Sequence, residues 1–172
     1  MGYERFVRKL LAGKAEVYGV RVNCGPSSRG VRYLDDWLGD TEWDVIHFNF
    51  GLHDIKYMEA DSKGKVRFVD FPQGHRWTPL GEYETNLSEI TAKLKATGAK
   101  LVFATTTPVP EGTGIRRKGD AALYNLIALR VMRRYGVQVN IFYSCKKGQF
   151  LYCQDHRPSQ EPAVKMKGTL TD

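Results

Sequence analysis

Cysteine is scarce, and what there is has no shared spacing. Cys24, Cys145 and Cys153 are odd in number and include no Cys-x-x-Cys pair, which speaks against a disulfide framework and against a thiolate zinc site. Long apolar runs are lacking too: no stretch approaches the roughly 20 residues that a membrane helix needs. Met1 to Leu11 carries charge without the apolar centre and small-residue cleavage site of a targeting segment. No membrane partner is expected, and the compartment stays open because the true start could lie upstream. Acidic residues are outnumbered, 19 against 26 Lys and Arg, for a net charge of +7. The surplus is spread along the chain, with local clusters at Arg116, Arg117 and Lys118 and at Arg130, Arg133 and Arg134. The second cluster falls on the polar face of a helical pattern. That cluster reads as solvated surface, neither is accompanied by an aromatic-basic RNA signature, and no nucleic-acid partner is expected.

What is present suits one globular domain. At 172 residues, with 42% hydrophobic and 26% charged content, the chain can bury a substantial core. Phe6, Val7, Leu10 and Leu11 recur at helical spacing, predicting a helix over Tyr3 to Ala12. Ala15 to Val22 reads as a strand. Asn23 to Gly30 is a loop rich in turn formers, and Val31, Leu34, Trp37 and Leu38 stripe a second helix closed by Gly39. A strand over Val45 to Phe50 follows. Residues 55–80 have no clean period and read as an irregular excursion above the sheet, of the kind that often serves binding. Tyr83, Leu87, Ile90 and Leu94 mark a third helix ending at Gly98. Lys100 to Ala104 is a strand that leaves through the proline-fixed loop Thr105 to Pro110. Leu123, Ile127, Val131 and Tyr135 stripe a fourth helix that stops at Gly136, and Val137 to Phe142 is a last strand. This alternation calls for crossover connections, hence an α/β fold with a mostly parallel sheet and helices on both faces. Residues 1–142 form that domain. Residues 143–172 show no sustained period and read as an irregular tail.

The stretch from Asp44 to Asp54, DVIHFNFGLHD, organises the rest. Its apolar half suits a buried strand, Gly51 breaks the run, and His53 and Asp54 follow the break. Open α/β sheets place ligands beyond the carboxyl ends of their strands. Asp54 is expected to anchor its loop through backbone N–H groups.

Asn23-Cys24-Gly25 and Gly51-Leu52-His53-Asp54 resemble the second and third sequence blocks of the SGNH (GDSL-type) serine hydrolases. The Thr105 to Pro110 loop and the Tyr124-Asn125 helix resemble bacterial members of that group. The resemblance covers roughly Met1 to Asn140. It implies a three-layer α/β/α sandwich of the flavodoxin-like, SGNH type and a serine acyl-enzyme without cofactor or metal. The implied substrates are small acyl or acetyl esters, including acetylated carbohydrates. It further implies that the backbone N–H of Gly25 and the side chain of His53 are oxyanion donors. His75, Trp77 and Arg116 are candidate substrate-binding residues, with Arg117 beside them.

Two departures stand against this. The family's Gly-Asp-Ser nucleophile block is missing, and so is a usable Asp-x-x-His: the only such string, Asp44 to His47, lies inside the predicted strand. Ser27 and Ser28 are conceivable replacement nucleophiles, but no histidine is placed by sequence to activate them. The expectation is therefore a truncated, weakly active or inactive hydrolase. The alternative is a non-catalytic domain of the same type that binds a ligand in the same cleft. Absence of a first strand would also leave a neighbouring strand without a ladder partner.

Overall fold

The computed structural model describes residues 4–142 and, for the backbone alone, residues 164–167. In chain order the elements are α1 (Glu4–Leu10), β1 (Glu16–Gly19), α2 (Ser27–Leu38), β2 (Val45–Phe48), β3 (Tyr57–Ala60), β4 (Val66–Phe68), β5 (His75–Arg76), α3 (Leu80–Ala96), β6 (Lys100–Ala104), α4 (Asp120–Tyr135), β7 (Gln138–Asn140) and β8 (Val164–Lys167). Among the described residues no helix is long and apolar enough to cross a membrane.

The architecture is mixed α/β. A main sheet runs in the order β1-β8-β2-β6-β7, and β2, β6 and β7 are mutually parallel. Its centre is fixed by burial. Ile46, Phe48 and Phe103 are at most 1% exposed. Phe48 lies opposite Phe103 in the β2–β6 register, their rings edge to face at 5.3 Å. Burying such a side chain contributes about 1.5–3 kcal/mol, and an aromatic pair about 1 kcal/mol more. Helices α2, α3 and α4 pack side by side. Helix α3 does so through Tyr83, Leu87, Ile90 and Leu94, the stripe read from the sequence.

Several expectations are corrected. Helix α2 begins at Ser27, not Val31, because a carboxylate from another loop caps its first turn. Residues 55–80 are not irregular: β3, β4 and β5 make a small antiparallel sheet in the order β4-β3-β5. Backbone pairing rather than burial holds it, and Val66 and Phe68 remain about half exposed, so it leaves no alternating signature. The buried face of α4 is Ala121, Tyr124, Asn125, Ala128, Val131 and Met132, while Leu123 is exposed. Two alanines on that face allow close approach to α3. Residues Val164–Lys167 of the expected irregular tail form β8, antiparallel to both β1 and β2. Strand β2 therefore has a partner on each side and is not an edge. Residues 143–163 and 168–172, the remainder of the expected tail and with it Cys145 and Cys153, lie outside the described residues.

The exit from β2 is held by a dense set of bonds. The carbonyl of Phe50 accepts from Tyr83 Oη at 2.9 Å and from Thr106 Oγ1 at 3.1 Å. Asn49 Nδ2 donates to the Ala104 carbonyl at 2.6 Å. Asn125 takes the N–H of Thr106 and gives Nδ2 to its carbonyl, both at 2.8 Å. Gly51, with φ of 138°, fits only as glycine: a Cβ there would stand 2.3 Å from Thr106 Oγ1. Gly51→Ala is expected to destabilise the fold by about 2–4 kcal/mol, from backbone strain and overpacking together. Urea unfolding checks this, and a loss under about 0.5 kcal/mol would contradict the packing described.

Candidate functional site

The glycine-terminated exit of β2 delivers residues 51–56 as a tight turn. Ile55 N–H donates to the Gly51 carbonyl and Lys56 N–H to the His53 carbonyl, each at 3.1 Å. Within that turn Asp54 is fully buried. Its Oδ1 accepts from the Ser27 backbone N–H at 2.8 Å and from Ser27 Oγ at 2.6 Å. Helix α2 has Pro26 at its N-cap and no side-chain cap of its own, so Asp54 supplies the missing acceptor from 27 residues away. A carboxylate at a helix N-terminus also meets the positive end of the helix dipole. Asp54 thereby ties its loop to the start of α2.

The same contact decides the geometry of Ser27. Its hydroxyl donates to Asp54 and accepts from Asn86 Nδ2 at 3.1 Å, and the residue is inaccessible to solvent. A hydroxyl so enclosed is a structural tie, not a free nucleophile. Ser28 is exposed on the first turn of α2.

Burial pushes the Asp54 carboxyl above its ordinary value; the bonds from Ser27 and the nearby Thr78 hydroxyl pull in the other direction and are outweighed. Among the described residues, Asp54 Oδ2 has no donor at hydrogen-bond length. A group whose folded pKa is raised holds its proton better in the fold than in the unfolded chain. Its stabilising contribution is thus complete below its unfolded pKa, near 3.8, and is lost as pH rises through the folded value.

His53 follows directly on the chain and is 9% exposed. Its ring meets Trp77 at 6.2 Å between centroids, inclined at 66°. Trp77 is placed by its backbone N–H, which donates to the Lys56 carbonyl at 2.7 Å. Arg116 reaches the same loop, donating Nε–H to the Leu52 carbonyl at 2.8 Å. The structure therefore gathers His53, Asp54, Trp77 and Arg116, and joins them through Ser27 to the loop that holds Gly25. Gly25 adopts φ of 65°, and its N–H donates to Asn23 Oδ1 at 2.9 Å. That N–H can serve a ligand only if Asn23 releases it. His75 sits exposed on β5, opposite Met58, and no side-chain bond ties it to the cluster among the described residues. Arg117 is exposed and lies over the Phe71 ring. His47 of the Asp44 to His47 string lies within β2, between β6 and β8.

Next to Trp77 in the chain stands one end of an ion pair that the sequence did not disclose. Arg76 donates Nε and Nη2 to the two carboxylate oxygens of Asp120, both at 2.9 Å, and Asp120 is 1% exposed. Tyr124 Oη donates to the carbonyl of Thr78, between Trp77 and α3. Among the described residues no three His, Cys, Asp or Glu side chains converge as a metal site would require.

With this geometry in view, the likeness to known proteins is limited and specific. The fold is similar to that of an acetyl xylan esterase. The crystal structure of that esterase, AlAXEase, superposes with a TM-score of 0.62 over 82% of this chain and 68% of its own, at 14% sequence identity. Identity that low bears on the fold alone. A second solved structure overlaps 66% of this chain and 51% of its own at 23% identity, with a TM-score of 0.45, too loose to bear on the argument. No protein-family model matches the chain, and no curated protein sequence does.

Asp54→Asn offers the test of the buried carboxyl. The stability of the parent chain relative to this variant should be greatest near pH 4 and decline toward pH 7, as read from urea midpoints at several pH values. The opposite slope would mean that the Ser27 bonds outweigh burial.

Proposed function

We propose that this chain carries the oxyanion side of an SGNH-type ester hydrolase. The substrates would be small acyl or acetyl esters, including acetyl groups on carbohydrates, and the route a serine acyl-enzyme. In this reading residues 1–142 make a three-layer α/β/α domain, His53 and the Gly25 N–H are the oxyanion donors, and Trp77 and Arg116 border the substrate. The observation that carries it is the loop Gly51–Asp54. A glycine-ended central strand sets a histidine beside an aromatic wall, and a buried aspartate ties that loop to the one bearing Gly25. The fold likeness to an acetyl xylan esterase supports the same reading.

Acyl transfer to serine needs a nucleophile, a base for its proton and donors directed at the growing oxyanion. Asp54 serves as the positioning residue: it fixes where His53 and the 23–30 loop stand relative to each other. Ser27 is buried and held by two bonds, and in this reading the nucleophile is the serine of a Gly-Asp-Ser block, as the resemblance implies.

The folded 172-residue chain is expected to hydrolyse 4-nitrophenyl acetate far below the ~1 s⁻¹ that marks the slow end of ordinary enzymes. A fluorophosphonate probe should label neither Ser27 nor Ser28. Supplying both a Gly-Asp-Ser strand ahead of Met1 and an Asp-x-x-His segment to activate its serine should bring labelling of that serine, and His53→Ala should slow that labelling by about a hundredfold. Ordinary turnover by the chain as it stands, or a specific adduct on Ser27, would contradict the reading.

A further inference from the structure

Two cations stand beside the His53 loop with no counter-charge among the described residues. Lys56 is only 6% exposed, and its ammonium lies 4.7 Å from the centre of the Phe68 ring. Arg116 is half-buried, and once its Nε is spent on the Leu52 carbonyl its terminal nitrogens have no partner among the described residues. The two backbones meet in an antiparallel bridge. No carboxylate among the described residues forms an ion pair with either side chain. Glu59, three residues beyond Lys56, is taken by Arg67 at 2.8 Å.

Lysine and arginine are seldom buried unless paired, because desolvating a charge is costly. Placing two of the same sign together adds repulsion. Burial first, and Arg116 second, lower the Lys56 pKa; burial lowers that of Arg116. The cost is borne at one place, and that place adjoins the candidate cleft. Phe68 stands 5.2 Å from Trp77, which stands 6.2 Å from His53, so the cations and the histidine border one aromatic wall.

We infer that Lys56 and Arg116 form a subsite for an oxyanion, a carboxylate or a phosphate, carried on the molecule that this cleft binds. The inference rests on the ester-hydrolase reading for its substrate class, an acyl ester on an anionic carrier such as a uronic acid or a sugar phosphate. The binding itself does not require turnover. A guanidinium with free terminal nitrogens presents a fork to two oxygens, and the ammonium adds a point charge beside it.

Binding is read by thermal shift and calorimetry on the full chain at fixed ionic strength, with D-glucuronate, inorganic phosphate and D-glucose as probes. At least one of the two anions should stabilise the parent chain, and glucose should not. Lys56→Met should fold, since it removes a buried unpaired charge, and should weaken anion binding about tenfold or more. Lys56→Arg should retain binding. Lys63→Met, which removes the same charge from an exposed turn, should change nothing. Glucuronate without phosphate identifies a carboxylate carrier, and the converse a phosphorylated one. The inference is overturned if neither anion outperforms glucose, or if Lys56→Met and Lys63→Met bind anion equally well. Should Lys56→Met fail to fold, the comparison of Lys56→Arg with Lys63→Met and the parent titrations against glucose still decide it. Failure of the ester-hydrolase reading shows separately, as anion binding by a chain in which the added Gly-Asp-Ser and Asp-x-x-His segments together restore no labelling.

Discussion

The carboxylate of Asp54 accepts two hydrogen bonds from Ser27 where water does not reach, and the candidate cleft depends on that contact. It caps α2 in trans and ties the turn that follows β2 to the start of that helix. A hydrogen bond to a charged group is worth about 1.5–3 kcal/mol net, and stranding a buried acceptor costs a comparable amount. Desolvation works against the ionised form. Part of the hydrogen bonds' contribution is therefore offset at neutral pH, where the carboxyl of the unfolded chain is ionised.

Around this tie the ends of the central strands are held by buried hydrogen bonds. The Phe50 carbonyl, held by Tyr83 and Thr106, and the Thr106 backbone, held by Asn125, clamp the ends of β2 and β6 to α3 and α4. The side chains beyond the clamp come from elsewhere: Trp77 follows β5, and Arg116 lies in the loop before α4. Their positions derive from the small β4-β3-β5 sheet and its bridge to residue 116. The cluster thus pairs a rigid strand exit with a separately built wall.

The parts of the fold that bury a periodic apolar face could be read from the sequence. The α3 stripe of Tyr83, Leu87, Ile90 and Leu94 is the plainest case, and β2 and β6 follow from their β-branched and aromatic runs. The turn that carries Gly51, His53 and Asp54 was legible because glycine breaks the apolar run of β2. What stayed hidden was tertiary in origin. The early start of α2 depends on a carboxylate distant in sequence. Lys56, between Ile55 and Tyr57, looks like an ordinary surface lysine until Phe68 folds over it. The β3–β5 sheet buries too little to leave a period. On α4, Leu123 and Ile127 suggested a face offset from the true one, where Ala121 and Ala128 pack close; small residues give a weak hydrophobic signal for a strong packing role. Only the alternation of Val164, Lys165, Met166 and Lys167 could have signalled β8, in a stretch of four residues.

The most direct measurement is a double-mutant cycle on Ser27 and Asp54, with Ser27→Ala, Asp54→Asn and the pair compared by urea unfolding at pH 7. If this contact joins the two loops, the coupling between the sites should be about 1 kcal/mol or more. The double variant would then lose much less than the summed losses of the single ones. Additive losses, with coupling within about 0.3 kcal/mol of zero, would mean that the loops are held by other contacts and that Asp54 does not set the geometry of the site.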